Sequence, residues 1–127
     1  DNIGLVFTNL TSGKRAFYAP GIGVIEPQVL NAMRSAQLLL VDGTMWTDDE
    51  MIRLGISQKH ATEMGHLPQS GPGGMIEVLD SIERAGVRKV LVHINNTNPI
   101  LVDDGPERRT LSEHGIEVGY DGMAFDL

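Results

Sequence analysis

Two histidines and one aspartate hold most of the chemical interest of this sequence. His93 ends the apolar run Val90-Leu91-Val92 and precedes Asn95-Asn96-Thr97-Asn98. His66 lies in Gly65-His66-Leu67-Pro68-Gln69-Ser70, and Asp42 follows Leu38-Leu39-Leu40-Val41. Neutral imidazoles suit zinc, iron or manganese, and two of them with one carboxylate equal a non-haem iron triad by count. Count alone carries no geometry. Ser70-Gly71 ahead of Pro72 adds free backbone N–H groups and the positive end of a helix, an arrangement that favours an anion. A carboxylate-bearing substrate would suit that position. Each residue also has a plain structural reading. His93 could be a hydrogen-bonded residue at a strand end, and His66 an ordinary surface residue. Asp42 could cap the turn after its strand, and Asn95 to Asn98 could be a loop stitched by Asx turns. His60 and His114 read as surface residues near helix ends.

The elements that must position these groups follow from pattern. Ile3 to Thr8 and Lys14 to Tyr18 read as strands joined through the turn-rich Asn9-Leu10-Thr11-Ser12-Gly13, hence a hairpin. A helix is expected from Pro27 to Ala36, with Pro early and Val29, Leu30 and Met33 on one face. Leu38 to Val41 reads as a strand covered on both faces. Asp48-Asp49-Glu50 opens a short helix that Gly55 ends. Ser57 to Gly74 reads as a long loop, the kind of segment that often carries function. Helices over Pro72 to Ala85 and Pro106 to His114, a buried strand over Val90 to Ile94 and a short strand over Ile116 to Val118 complete the chain.

The class is therefore α/β. Right-handed crossovers would make strands 14–18, 38–41 and 90–94 parallel. Ligands of such sheets sit beyond the carboxyl ends of the strands. That rule gathers Asp42, His66, Gln69, Ser70, His93, Asn95 and Asn96 at one edge, and this convergence, rather than any single residue, makes the site hypothesis.

The 127 residues suit one domain, with 17 acidic against 10 basic side chains and a net charge of −7. The acidic balance excludes the basic stripe that nucleic-acid binding needs. Having no cysteine, the chain can form neither disulfides nor Cys-based zinc sites. No apolar run approaches the ~20 residues of a membrane span, and a cytoplasmic location is the expectation. The sequence begins with Asp1 and enters a strand at residue 3, as expected of a chain cut from something longer.

The strings Tyr18-Ala-Pro-Gly-Ile-Gly, Leu39-Leu-Val-Asp-Gly-Thr-Met-Trp46, Met64-Gly-His-Leu-Pro-Gln-Ser-Gly71 and His93-Ile-Asn-Asn-Thr-Asn-Pro-Ile100, in this order, resemble the C-terminal portion of the pyrroloquinoline quinone (PQQ) biosynthesis protein B family. That family belongs to the metallo-β-lactamase superfamily, whose αββα sandwich has two halves, each a sheet with flanking helices. The resemblance implies that residues 1–127 form the C-terminal half of such a domain. The superfamily's His-x-His-x-Asp-His metal stretch lies in the N-terminal half and does not occur in this sequence. It also implies that His93 corresponds to the last metal-ligating histidine, and that Gly65-His66 corresponds to a Gly-His that contacts substrate or stabilises developing charge. The bridging aspartate falls on Gly21, which favours one metal ion, or none, over two. Asp42 falls on an acid that supports the site or faces substrate, and ranks below His93 as a ligand.

The function so implied is PQQ biosynthesis, through iron-dependent oxygenation of the Tyr ring of a cross-linked Glu–Tyr precursor. The metal would be a single divalent ion, iron ahead of zinc, held by His93. His66 would be the catalytic proton-transfer group, and Asp42, Gln69, Ser70, Asn95 and Asn96 would orient substrate. Expected partners are the precursor or PQQ and the N-terminal half, with a homodimer left open; nucleic acid and membrane are not expected. Two rival readings remain: a non-catalytic carrier of PQQ or its precursor, and a metal-dependent hydrolase.

Overall fold

The computed structural model describes residues 2–127; Asp1 lies outside them. Five strands form one sheet in the order β1-β2-β3-β4-β5. They are β1 (Leu5–Thr8), β2 (Arg15–Ala19), β3 (Leu38–Asp42), β4 (Arg88–Val92) and β5 (Ile116–Val118). The hairpin β1–β2 is antiparallel, and β2, β3, β4 and β5 are mutually parallel. Its turn closes as the composition suggests. Asn9 Oδ1 accepts the amides of Thr11 and Ser12, and Gly13 takes φ 73°.

The helices α1 (Pro27–Ser35), α2 (Glu50–Arg53), α3 (Met75–Asp80) and α4 (Pro106–Glu113) lie in the crossovers between the parallel strands. Met33, Met75, Ile76, Leu79 and Leu111 from α1, α3 and α4 pack with Phe17, Ala19, Leu39, Val41, Leu91 and Ile116 in the main core. Strand alternation sends Ala16, Leu38, Leu40, Val90 and Val92 to the opposite face. There the final residues Met123, Phe125 and Leu127 cover them. Arg88 lies 5.0 Å over the Phe125 ring and bonds Glu117 across the sheet, a bond that raises the guanidinium above its ordinary value. The continuous apolar run of β3 is thus explained by cover on both sides.

Two elements differ from expectation. The helix expected over 72–85 is only α3. At its start Gly71 and Gly73 adopt φ 83° and 72°, a turn that helical residues do not make. Beyond Asp80, the Arg84 guanidinium reaches back to the carbonyls of Arg34 and Ala36 and satisfies the C-terminal end of α1. β4 ends at Val92, before His93, which takes φ 56°. A left-handed residue cannot continue a strand.

No helix among the described residues is long and apolar enough to cross a membrane. Leu39 is fully buried against the helices, whereas Leu40 is half-buried under the C-terminal residues. Leu39→Ala is accordingly expected to cost about 2–5 kcal/mol, and Leu40→Ala clearly less. Urea melts of the two variants compare them; equal losses would contradict this layering.

Candidate metal centre

The carboxyl edge of the parallel strands is where the chemistry-bearing residues meet. Asp42 is the last residue of β3 and is 0% exposed. Its Oδ1 accepts the Thr44 amide at 3.0 Å and the Thr44 hydroxyl at 2.6 Å. Its Oδ2 accepts the Ile22 amide at 2.9 Å and His66 Nδ1–H at 2.8 Å. These bonds use the ~4 acceptor positions a carboxylate has. The Asp-Gly-Thr turn therefore is an Asx cap, and the same carboxylate also holds an imidazole.

His66 reaches Asp42 because two loops meet backbone to backbone. The Leu67 amide donates to the Ile22 carbonyl at 2.6 Å. A Cβ at Gly23 would lie 3.2 Å from the Gly65 backbone, tighter than ordinary contact, so glycine suits the approach. The side chain of Asn2 bonds the Gly65 carbonyl at 3.0 Å and lies over Gly21.

His93 arrives from β4. Gly43 N–H donates to the Val92 carbonyl at 2.7 Å, and a Cβ at Gly43 would stand 2.8 Å from Leu91 Cβ. With the strands held this closely, the left-handed turn at His93 brings its Nδ1 to 2.8 Å and its carbonyl oxygen to 3.0 Å from Thr44 Oγ1. The rings of His66 and His93 stack with centroids 5.4 Å apart and planes 20° apart. One ligand atom from each of Asp42, His66 and His93 falls within 4.8 Å of the others; because the acceptor positions of Asp42 are filled, the imidazoles are the members of this group with a nitrogen to spare for a metal ion. His93 is exposed, while the His66 side chain is 19% exposed. An open cleft of about 540 Å³ adjoins His93, walled mainly by Leu40, Val92, Ile94, Leu101, Tyr120 and Phe125.

The other expected site residues are placed differently. Asp42 cannot touch a substrate directly, because it is buried and its oxygens are engaged. Gln69 is also fully buried, and its Oε1 accepts Asn98 Nδ2 at 2.7 Å. Asn98 Nδ2 further lies 2.9 Å from the Gly43 carbonyl oxygen, so these amides pin the loops from behind. Ser70 gives its hydroxyl to the Trp46 carbonyl at 2.6 Å. Asn95 Nδ2 bonds Thr97 Oγ1 at 2.5 Å, and Asn96 alone of the group is exposed. The expected anion site at the start of α3 is closed. Gly73 N–H bonds Glu77 Oε2, and the amides of Gly74, Met75 and Ile76 bond the carbonyls of Gly71, Pro68 and Gln69.

The sequence reading gave no role to Thr44 or Asn98. Thr44 sits two residues after a strand-ending carboxylate, the spacing at which a hydroxyl can meet it.

Residues 1–94 match the family model described as a β-lactamase superfamily domain. The chain belongs to this superfamily. As a β-lactamase superfamily chain it is 61% identical, over all 127 residues, to coenzyme PQQ synthesis protein B of Azoarcus sp. (strain BH72), of which it covers 41%. The same identity and coverage hold for that protein of Methylococcus capsulatus. A crystal structure of zinc-bound PqqB from Methylobacterium extorquens matches with a TM-score of 0.83 and 43% identity, over 91% of this chain and 38% of that one. The chain therefore spans about two fifths of the length of the curated relatives it matches.

Asp42→Asn turns one oxygen into an amide that faces donors on either side. We expect it to lower stability by about 1–3 kcal/mol. Thermal denaturation measures this, and an unchanged melt would contradict the bonding described here.

Proposed function

We propose that this chain contributes to a metal-dependent enzyme of coenzyme PQQ biosynthesis, with His93 as a metal ligand. The observation that carries this reading is the position of His93. It stands at the lip of an apolar cleft, stacked on an imidazole that a buried carboxylate holds. The names of the relatives and the zinc in the PqqB structure support it.

The residues fit a divalent ion in their chemistry. Both imidazoles commit Nδ1 to the protein and leave Nε2 uncommitted. A bound ion supplies positive charge and, where it is iron, the redox capacity that oxygenation of a Tyr ring requires. The chain's own groups do the rest. Leu40, Val92, Ile94 and Phe125 receive the aromatic ring of a Glu–Tyr-derived precursor and exclude water from it. His66, oriented by Asp42, holds or returns a proton at Nε2. Asn96 at the rim meets the acidic groups of the precursor.

We further read residues 1–127 as the C-terminal half of a metallo-β-lactamase-like domain, whose remainder completes the coordination. The 41% coverage of the relatives supports this. Gly21 offers no side-chain ligand, which favours a single ion.

The intact protein loaded with Fe(II) is expected to consume oxygen when given the Glu–Tyr precursor, as an oxygen electrode would record. His93→Ala should abolish that uptake, as should removal of the metal by a chelator. Full uptake by His93→Ala would remove the metal role. Tight precursor binding by the iron form without turnover would replace the enzyme with a carrier, and metal-dependent cleavage of an ester would make it a hydrolase.

A further inference from the structure

We propose that Thr44 is a positioning residue that fixes His93 in its Nδ1–H tautomer, so that Nε2 carries the free lone pair. The argument rests on counting protons around one oxygen. Thr44 is 5% exposed, and its Oγ1 lies within hydrogen-bond distance of four atoms: Asp42 Oδ1 at 2.6 Å, His93 Nδ1 at 2.8 Å, the His93 carbonyl oxygen at 3.0 Å and His66 Nδ1 at 3.1 Å. A hydroxyl has one proton to give and two lone pairs.

Asp42, as a carboxylate, has no proton, so its 2.6 Å contact is made only if Thr44 donates. The His93 carbonyl oxygen is likewise an acceptor, and competes for that same proton. Whichever of the two receives it, Thr44 keeps nothing to give to His93 Nδ1. The 2.8 Å contact then requires that Nδ1 carries the proton and Thr44 accepts it. The same reasoning fixes His66, whose Nδ1 lies 2.8 Å from the acceptor-only Asp42 Oδ2. One buried carboxylate thus sets both tautomers, directly for His66 and through the Thr44 hydroxyl for His93.

The backbone agrees with this arrangement. His93 is the one non-glycine residue with positive φ among the described residues, at 56°. Strain of this kind survives only where neighbours over-determine it, and it gathers at functional positions. Here the left-handed turn lets the ring nitrogen and the carbonyl of one residue both converge on Thr44 Oγ1.

A bond to the far nitrogen of a ligating histidine commonly changes metal affinity about 10–100-fold. The tautomer stands without the metal role proposed for His93; the affinity effect rests on it. The test therefore has two arms, both on the intact, metal-free protein. First, nitrogen-15 NMR of the histidine side chains at about pH 8, above the ordinary range of imidazole titration, reads which nitrogen of His93 is protonated. Wild type and Thr44→Ser, which keeps the hydroxyl, should show Nδ1–H. Thr44→Val, which keeps the shape, should lose that preference. Second, a zinc titration should show affinity about 10–100-fold weaker in Thr44→Val and near wild type in Thr44→Ser.

An Nε2–H signal in the wild type overturns the proposal even if Thr44→Val fails to fold, and so does an unchanged His93 spectrum in Thr44→Val. A shifted tautomer with unaltered zinc affinity upholds the positioning role and removes the metal role of His93.

Discussion

A carboxylate taken fully out of water must be met by donors on both oxygens, or its desolvation costs several kcal/mol. Asp42 is such a group, and the arrangement of the carboxyl edge follows from satisfying it. Its donors come from three separate segments: the Ile22 amide after β2, the amide and hydroxyl of Thr44, and the ring of His66 in the loop before α3. None of these segments can shift without leaving a buried charge short of a partner. The folding requirement and the requirement of a preorganised site coincide here, since the bonds that neutralise Asp42 are also those that orient the imidazoles.

Close backbone approach makes this convergence possible. Gly43 lies where any Cβ would strike Leu91 and the Val92 carbonyl, so β3 and β4 can leave the sheet together. On the other side of Asp42 a Cβ at Gly23 would press on the Gly65 backbone at 3.2 Å, and Gly65 itself takes φ 82°. Behind them Asn98 ties Gly43 to Gln69, and its Oδ1 accepts the Ile100 amide at 3.1 Å. Side-chain amides and glycines together replace the regular ladder that ends at Asp42 and Val92, at the point where a strand would otherwise expose unpaired groups.

Much of the scaffold was legible because hydrophobic period and breaker residues dominate there. The unbroken run Leu38 to Val41 required cover on both faces, and parallel strands then placed Asp42, His66 and His93 at one edge. What could not be read was direction. Gln69 looks like a substrate-facing amide in sequence, yet it turns inward, where its Oε1 accepts from Asn98 Nδ2. Beyond the end of α3, Arg84 reaches across to α1, a contact between residues about 50 positions apart that no local pattern records. The backbone of His93 was hidden for a similar reason. Few residues other than glycine take φ 56°, and the contacts of His93 with the Thr44 hydroxyl that accompany it join residues 49 positions apart in the chain.

The same bonding fixes what this chain can offer a cation. Asp42 contributes its negative charge, but no free lone pair, since its acceptor positions are occupied. On the proposed reading His93 contributes a lone pair at Nε2 but no charge, while His66 keeps its Nε2 for the proton. A doubly charged ion held by neutral donors alone keeps its full charge and draws anionic ligands strongly. Direct carboxylate ligation must then come from groups other than Asp42, either from further protein or from an acidic substrate. Under the proposed metal role, coordination positions stay open for an incoming anion while both rings are held rigid, and that pairing of a saturated inner carboxylate with two oriented imidazoles is what the Asp-Gly-Thr turn achieves.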